Sequence, residues 1–150
     1  MASAGPAVLE DALLVRACRG LRGTRPPVWF MRQAGRYLPE DQAIRARHSM
    51  LEVIRTPALA VEITLQPVRR FGLDAAIIFA DILNPLIGMG LKLDFMPGAG
   101  PQIFNPVRAP ADAAALRVPR AEDHVAYTLE AINLAAAELA RGGVPLIGFC

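Results

Sequence analysis

The chain has 150 residues, a formal net charge of +2 and 53% apolar residues, which fits one ordinary folded domain with a real core. Its basic residues are spread along the chain, so nothing points to a nucleic-acid surface, and no apolar run approaches the ~18 residues of a membrane span. Residues 1–5 lack the charged and apolar regions of a secretory leader, so a cytoplasmic location is expected. Cys18 and Cys150 are too few and too far apart for a disulfide framework and read as reduced, partly buried thiols. His48 and His124 have no partner at ligand spacing, and no metal is expected.

In chain order, residues 9–19 place Leu9, Leu13, Leu14 and Ala17 at the spacing of a short amphipathic helix that Gly20 can end. A Gly-, Arg- and Pro-rich connector leads through Pro26-Pro27 into Val28-Trp29-Phe30-Met31, four apolar residues that predict a short buried strand. Arg32 and Arg36 follow it, joined by Gln33 and the flexible Ala34-Gly35 step. Two guanidinium forks at a strand end suit a ligand with more than one acid group. The same pair would also fit a plain surface beside Asp or Glu, where ion pairs contribute little.

Pro39 starts the next helix with Glu40 and Asp41 in its first turn, where the helix dipole favours acids, and a second short helix covers residues 50–54. Thr56-Pro57 reads as a capping hydroxyl followed by proline at the first helical position. In that helix Ala58, Val61, Leu65 and Val68 form the expected apolar stripe, with Glu62, Gln66, Arg69 and Arg70 on the wet face. Pro67 should kink it and Gly72 close it. Residues 74–81 give the second strand, apolar throughout between its two aspartates, as in a parallel sheet buried on both faces. A crossover helix before it completes a βαβ unit.

Residues 84–90 read as a loop, residues 91–96 as a half-exposed hairpin arm, and residues 97–110 as a proline-rich excursion, either a plain loop or a substrate lid. Residues 123–141 give the clearest helix, with Val125, Leu129, Ile132, Ala136 and Leu139 in register and Gly142-Gly143 ending it. Residues 144–149 give the third strand. The whole is the opening of an α/β fold with parallel strands and crossover helices, and three strands leave an open edge. The chain is therefore expected to be the N-terminal part of a longer one.

Chemistry in such folds gathers at the carboxyl ends of the strands. Arg32 lies just past the first strand and Asp81 just past the second, so adjacent parallel strands would bring them to one mouth. Asp81 ends a run of six apolar residues, where a carboxylate stays ionised only if cations or N–H donors reach it. It reads equally as a turn or capping acid. The Gly-x-Gly pairs at residues 88–90 and 98–100 lack the third glycine and the strand-to-helix setting of a nucleotide loop.

Four stretches, Pro27 through the two arginines to Pro39, Leu65-Gln66-Pro67-Val68-Arg69-Arg70-Phe71, Ala75 through Asp81 to Leu83, and Val144-Pro145-Leu146-Ile147-Gly148-Phe149, closely resemble the uroporphyrinogen decarboxylase family. The resemblance implies a (β/α)8 TIM barrel truncated here after its third strand. It places residues 1–26 as an N-terminal helix and connector and residues 27–150 as the first part of the barrel. It also implies a homodimeric carboxy-lyase of haem and porphyrin biosynthesis that works without a cofactor. The tetrapyrrole uroporphyrinogen III would lose carbon dioxide from its four acetate side chains to give coproporphyrinogen III.

Carried over by motif, Arg32 and Arg36 would hold substrate carboxylates, with Gln33 and Ala34 lining the same loop. Asp81 would accept hydrogen bonds from the pyrrole N–H groups, Ile77 would pack against the macrocycle, and Arg32 is also a candidate proton donor. The family's later tyrosine, serine and histidine lie beyond the third strand, and Ala80 stands where a serine is often found. Whether these 150 residues turn over substrate by themselves is a separate question. Two other readings are a corrinoid-linked methyltransferase of the same barrel superfamily and an inactive anion-binding fragment.

Overall fold

The computed structural model describes residues 7–30, 37–96 and 99–148. The helix expected over residues 9–19 divides into α1 (Ala7–Glu10) and α2 (Leu13–Cys18), because Ala12, at φ −58° and ψ 137°, turns the chain between them. Gly20 ends α2 as expected. At φ 72° it lets Leu21 N–H reach the Arg16 carbonyl at 2.9 Å while its own N–H meets that of Ala17 at 3.0 Å, a closure that needs a left-handed residue. Cys18 is exposed rather than partly buried, since α2 buries none of its residues. Cys150 lies outside the described residues.

The first strand is corrected over its described part. Residues 28–30 join no ladder, and Val28 and Phe30 are 44% and 50% exposed. Asp74 N–H does donate to the Val28 carbonyl at 2.9 Å. The return bond, however, runs from Val28 N–H to the Asp74 carboxylate at 2.7 Å, so a side chain occupies the place a strand carbonyl would take. Met31 lies outside the described residues.

Helix α3 (Pro39–Arg45) opens on its proline with Glu40 and Asp41 in the first turn, and Asp41 is fully buried. Ser49 caps α4 (Met50–Arg55), its hydroxyl accepting Glu52 N–H at 3.2 Å. Helix α5 (Pro57–Phe71) starts on Pro57, runs on through Pro67 and ends at Gly72, φ 62°. The Thr56 hydroxyl makes no capping bond, contrary to expectation, so proline alone marks this start.

Strand β1 (Ala76–Ile77) is shorter than the expected residues 74–81. The loop expected after it is instead a short helix, α6 (Asn84–Gly88), with Pro85 in its first turn, where the missing N–H costs nothing. The hairpin is real: β2 (Leu93–Met96) pairs antiparallel with β3 (Gly100–Ile103), so part of the expected excursion is strand. Helices α7 (Pro110–Ala114) and α8 (Ala121–His124) follow. Val125, at φ −129° and ψ 27°, breaks the chain before α9 (Ala126–Ala140), which therefore begins three residues later than predicted. Strand β4 (Leu146–Ile147) runs parallel to β1, with Ala76 opposite Leu146 and Ile77 opposite Ile147. Ala76 N–H donates to the Pro145 carbonyl at 3.0 Å and Ile78 N–H to that of Ile147 at 3.1 Å. The fold is thus α/β with parallel strands, α9 lying in the crossover between this pair.

The apolar stripes of the two long helices are rotated from those expected. In α5, Ala58 is exposed, while Ala60, Ile63, Thr64, Leu65 and Gln66 are buried. In α9 the buried line is Ala131, Ala135 and Leu139, and Leu129 is exposed. Helix α5 packs against α4, α9 and β1 together, so it buries more than one side, Gln66 included. The main core joins Val53, Ile54, Ala60, Ile63, Ile78, Phe79, Ala131 and Ala135. A smaller one joins Leu65, Ala76 and Leu139.

Candidate functional site

Alternation along β1 sorts its side chains. Ala76 and Ile78 pack into the two cores beneath α5 and α9. Ile77 points the other way, opposite Ile147, and both are half-buried. Ile77 also borders a recess of about 10 Å³ shared with Trp29 and Phe30, the segment that leads into the arginines. That volume holds no more than one water. Phe30 packs edge-on against Phe71 at the end of α5, ring centroids 6.2 Å apart. Ile77 and the Trp29-Phe30 segment are therefore neighbours.

Asp81 lies past the carboxyl end of β1 and is half-buried. Its Oδ1 accepts Leu83 N–H at 2.8 Å and its backbone carbonyl accepts Asn84 N–H at 3.2 Å. The turn-acid reading is thus true of one oxygen. Among the described residues Oδ2 takes no hydrogen bond. Arg32, Gln33, Ala34 and Arg36 lie outside the described residues.

Three features of the structure went unread in the sequence. Thr64 is 2% exposed; its hydroxyl donates to the Ala60 carbonyl at 2.7 Å and accepts Phe79 N–H at 2.9 Å. Asn84 is 3% exposed, and among the described residues its side-chain amide has no hydrogen-bond partner. The Arg25 guanidinium forks onto Asp74, which with the Val28 N–H holds that carboxyl below its ordinary value of 3.8. The signal for this last pair was one of the two arginines, Arg22 and Arg25, in the Gly- and Pro-rich connector, and its partner stands far along the chain.

A cleft of 410 Å³ lies between Met89-Gly90-Leu91, residues 105–108 and the Asp112–Leu116 side of α7. Neither Asp81 nor Ile77 lines it. Among the described residues there is no group of three His, Cys, Asp or Glu placed to hold a metal ion. His48 instead pairs with Glu52, Nδ1 to Oε1 at 2.7 Å, and the Glu52 carboxyl is lowered chiefly by that bond. No helix among the described residues is long and apolar enough to cross a membrane.

Residues 9–150 match the family described as uroporphyrinogen decarboxylase (URO-D). The chain is 59% identical over 141 residues to the uroporphyrinogen decarboxylase of Roseiflexus sp. (strain RS-1), covering 94% of this chain and 40% of that protein. It is 55% identical over 141 residues to that of Chloroflexus aurantiacus, covering 94% and 39%. To that of Trichlorobacter lovleyi it is 58% identical over 133 residues, covering 89% and 38%. The chain spans about two fifths of the length of these relatives.

Proposed function

The chain belongs to the uroporphyrinogen decarboxylase family, and we propose that it forms the first part of a (β/α)8 barrel carrying out the reaction for which its relatives are named. Residues 1–26 would be the flank and residues 27–150 the start of the barrel. The substrate is uroporphyrinogen III, a tetrapyrrole with four acetate side chains, and the product is coproporphyrinogen III. The enzyme would be a cytoplasmic homodimer that needs neither metal nor organic cofactor. The corrinoid methyltransferase reading is not carried forward, because relatives at 53–59% identity bear the decarboxylase name.

The chemistry explains the residues. Breaking the bond between an acetate methylene and its carboxylate leaves an electron pair that must go somewhere. A pyrrole ring first protonated on carbon accepts it, carbon dioxide leaves, a second proton converts the methylene to methyl, and the ring carbon then gives up the first proton to restore the pyrrole. Arg32 and Arg36 hold the substrate's carboxylates, Gln33 and Ala34 line that loop, and Ile77 lies under the ring. Arg32 also supplies the proton near the reacting acetate. Asp81 accepts the pyrrole N–H groups and stabilises the cationic ring, a fixed charge set where charge develops. The observation that supports this reading most is the position of Asp81 past the carboxyl end of β1, with one oxygen spent on Leu83 N–H and the other open among the described residues.

The test uses the protein completed to the length of its relatives, incubated with uroporphyrinogen, with the porphyrinogens of seven, six, five and four carboxylates followed over time. Asp81→Asn and Arg32→Ala should each slow turnover on the order of a hundredfold or more. A folded protein that converts nothing, or an Asp81→Asn variant at near-normal rate, overturns the reading. The fragment alternative predicts soluble binding of the porphyrinogen without conversion.

A further inference from the structure

We propose that Thr64 is a positioning residue for Asp81, an inference that rests on the reading above. Within the sheet, β1 gives its N–H groups to β4: Ala76 to the Pro145 carbonyl, Ile78 to the Ile147 carbonyl. Alternation turns the next N–H, that of Phe79, to the side away from β4. Phe79 N–H goes to the Thr64 hydroxyl at 2.9 Å, an acceptor on a helix rather than on a strand. The same hydroxyl spends its proton on the Ala60 carbonyl at 2.7 Å, so its lone pairs are aimed outward and its rotor is fixed. Two residues later stands Asp81, which the Leu83 N–H then turns.

A buried hydroxyl on α5 thus holds the backbone two residues ahead of the carboxylate. Helix α5 is itself anchored on several sides, so this tether refers Asp81 to the rigid core rather than to a loop. Thr64 is 2% exposed, which separates its role from direct contact with substrate. Displacing a fixed charge by a fraction of an ångström weakens its action on the transition state more than it weakens binding through other groups. Thr64 therefore acts on turnover rather than on affinity.

The experiment compares Thr64→Val and Thr64→Ser with the parent in the protein completed to the length of its relatives. Valine keeps the shape and removes the acceptor; serine keeps the acceptor. Thr64→Val is expected to lower kcat about tenfold with KM within about twofold, and Thr64→Ser to restore most of it. In an Asp81→Asn background the valine change should add almost nothing, because its effect runs through the missing charge. A Thr64→Val variant with a lowered melting temperature and unchanged kcat overturns the proposal, as does a full additional loss in the Asp81→Asn background. Should valine fail to fold, an unrescued loss in Thr64→Ser, where the hydroxyl is retained, overturns it too. Failure of the parent to convert uroporphyrinogen would instead strike the underlying reading, so the two failures are distinguishable.

Discussion

Arg25 grips Asp74 through both of its terminal nitrogens, Nη1 to Oδ2 at 2.6 Å and Nη2 to Oδ1 at 2.7 Å. The same carboxylate accepts Val28 N–H at 2.7 Å, while Asp74 N–H returns a bond to the Val28 carbonyl. One acid thereby joins Val28, four residues ahead of Arg32, to the chain entering β1.

Asp74→Ala should destabilise the protein by on the order of 1 kcal/mol, modest because water screens the exposed guanidinium. Asp74→Asn, which keeps an acceptor for Val28 N–H, should cost less. The carboxyl is lowered from 3.8 chiefly by the Arg25 hydrogen bond. Its contribution is therefore complete above the ordinary carboxylate value and is lost as pH falls below 3.8 through the depressed one. Urea midpoints of parent and Asp74→Asn should converge as pH drops through that window; parallel midpoints throughout would mean the charge contributes nothing.

Gly72 and Gly88 are glycines for different reasons, and alanine separates them. At Gly72 a Cβ meets nothing within 4 Å, but φ is 62°, so Gly72→Ala should cost about 1–2 kcal/mol of backbone strain alone. At Gly88 the Cβ would fall 2.8 Å from His124 Cγ, 2.9 Å from His124 Cβ and 3.0 Å from Pro119 Cβ. Gly88→Ala should cost about 1–3 kcal/mol by forcing α6 away from α8. Pairing each with His124→Ala tells them apart: that change should partly rescue Gly88→Ala and leave Gly72→Ala as it was.

Ala131 and Ala135 are 1% and 0% exposed where α9 lies on α5. Ala135→Leu should lower stability by about 1–3 kcal/mol through overpacking, whereas Leu134→Ala, at a position 47% exposed, should stay within about 0.5 kcal/mol. Urea unfolding of both variants checks the contrast, and equal losses would contradict the packing described here.

Much of the fold could be read before any coordinates because its punctuation is local. Pro39, Pro57, Gly20 and Gly72 start or stop helices by properties of one residue, and the structure keeps all four. Periodicity served less well where a helix has several neighbours. Gln66 and Ala58 exchange their expected roles because α5 is enclosed by α4, α9 and β1 rather than lying on a single surface. The first strand misled because Asp74 offers Val28 a side-chain acceptor, a substitution that apolar patterning does not encode. At the site, Asp81 and Ile77 could be singled out from strand ends and motif. The Thr64 tether joins residues fifteen positions apart on different element types, and no short-range rule announces it.

The bond from Leu83 N–H to Asp81 has a thermodynamic corollary for recognition. A carboxylate pinned at one oxygen has surrendered its swivel during folding, so a guest arriving at the other oxygen does not have to freeze it anew. The loss of torsional freedom is incurred once in the life of the chain rather than at every docking of a ligand.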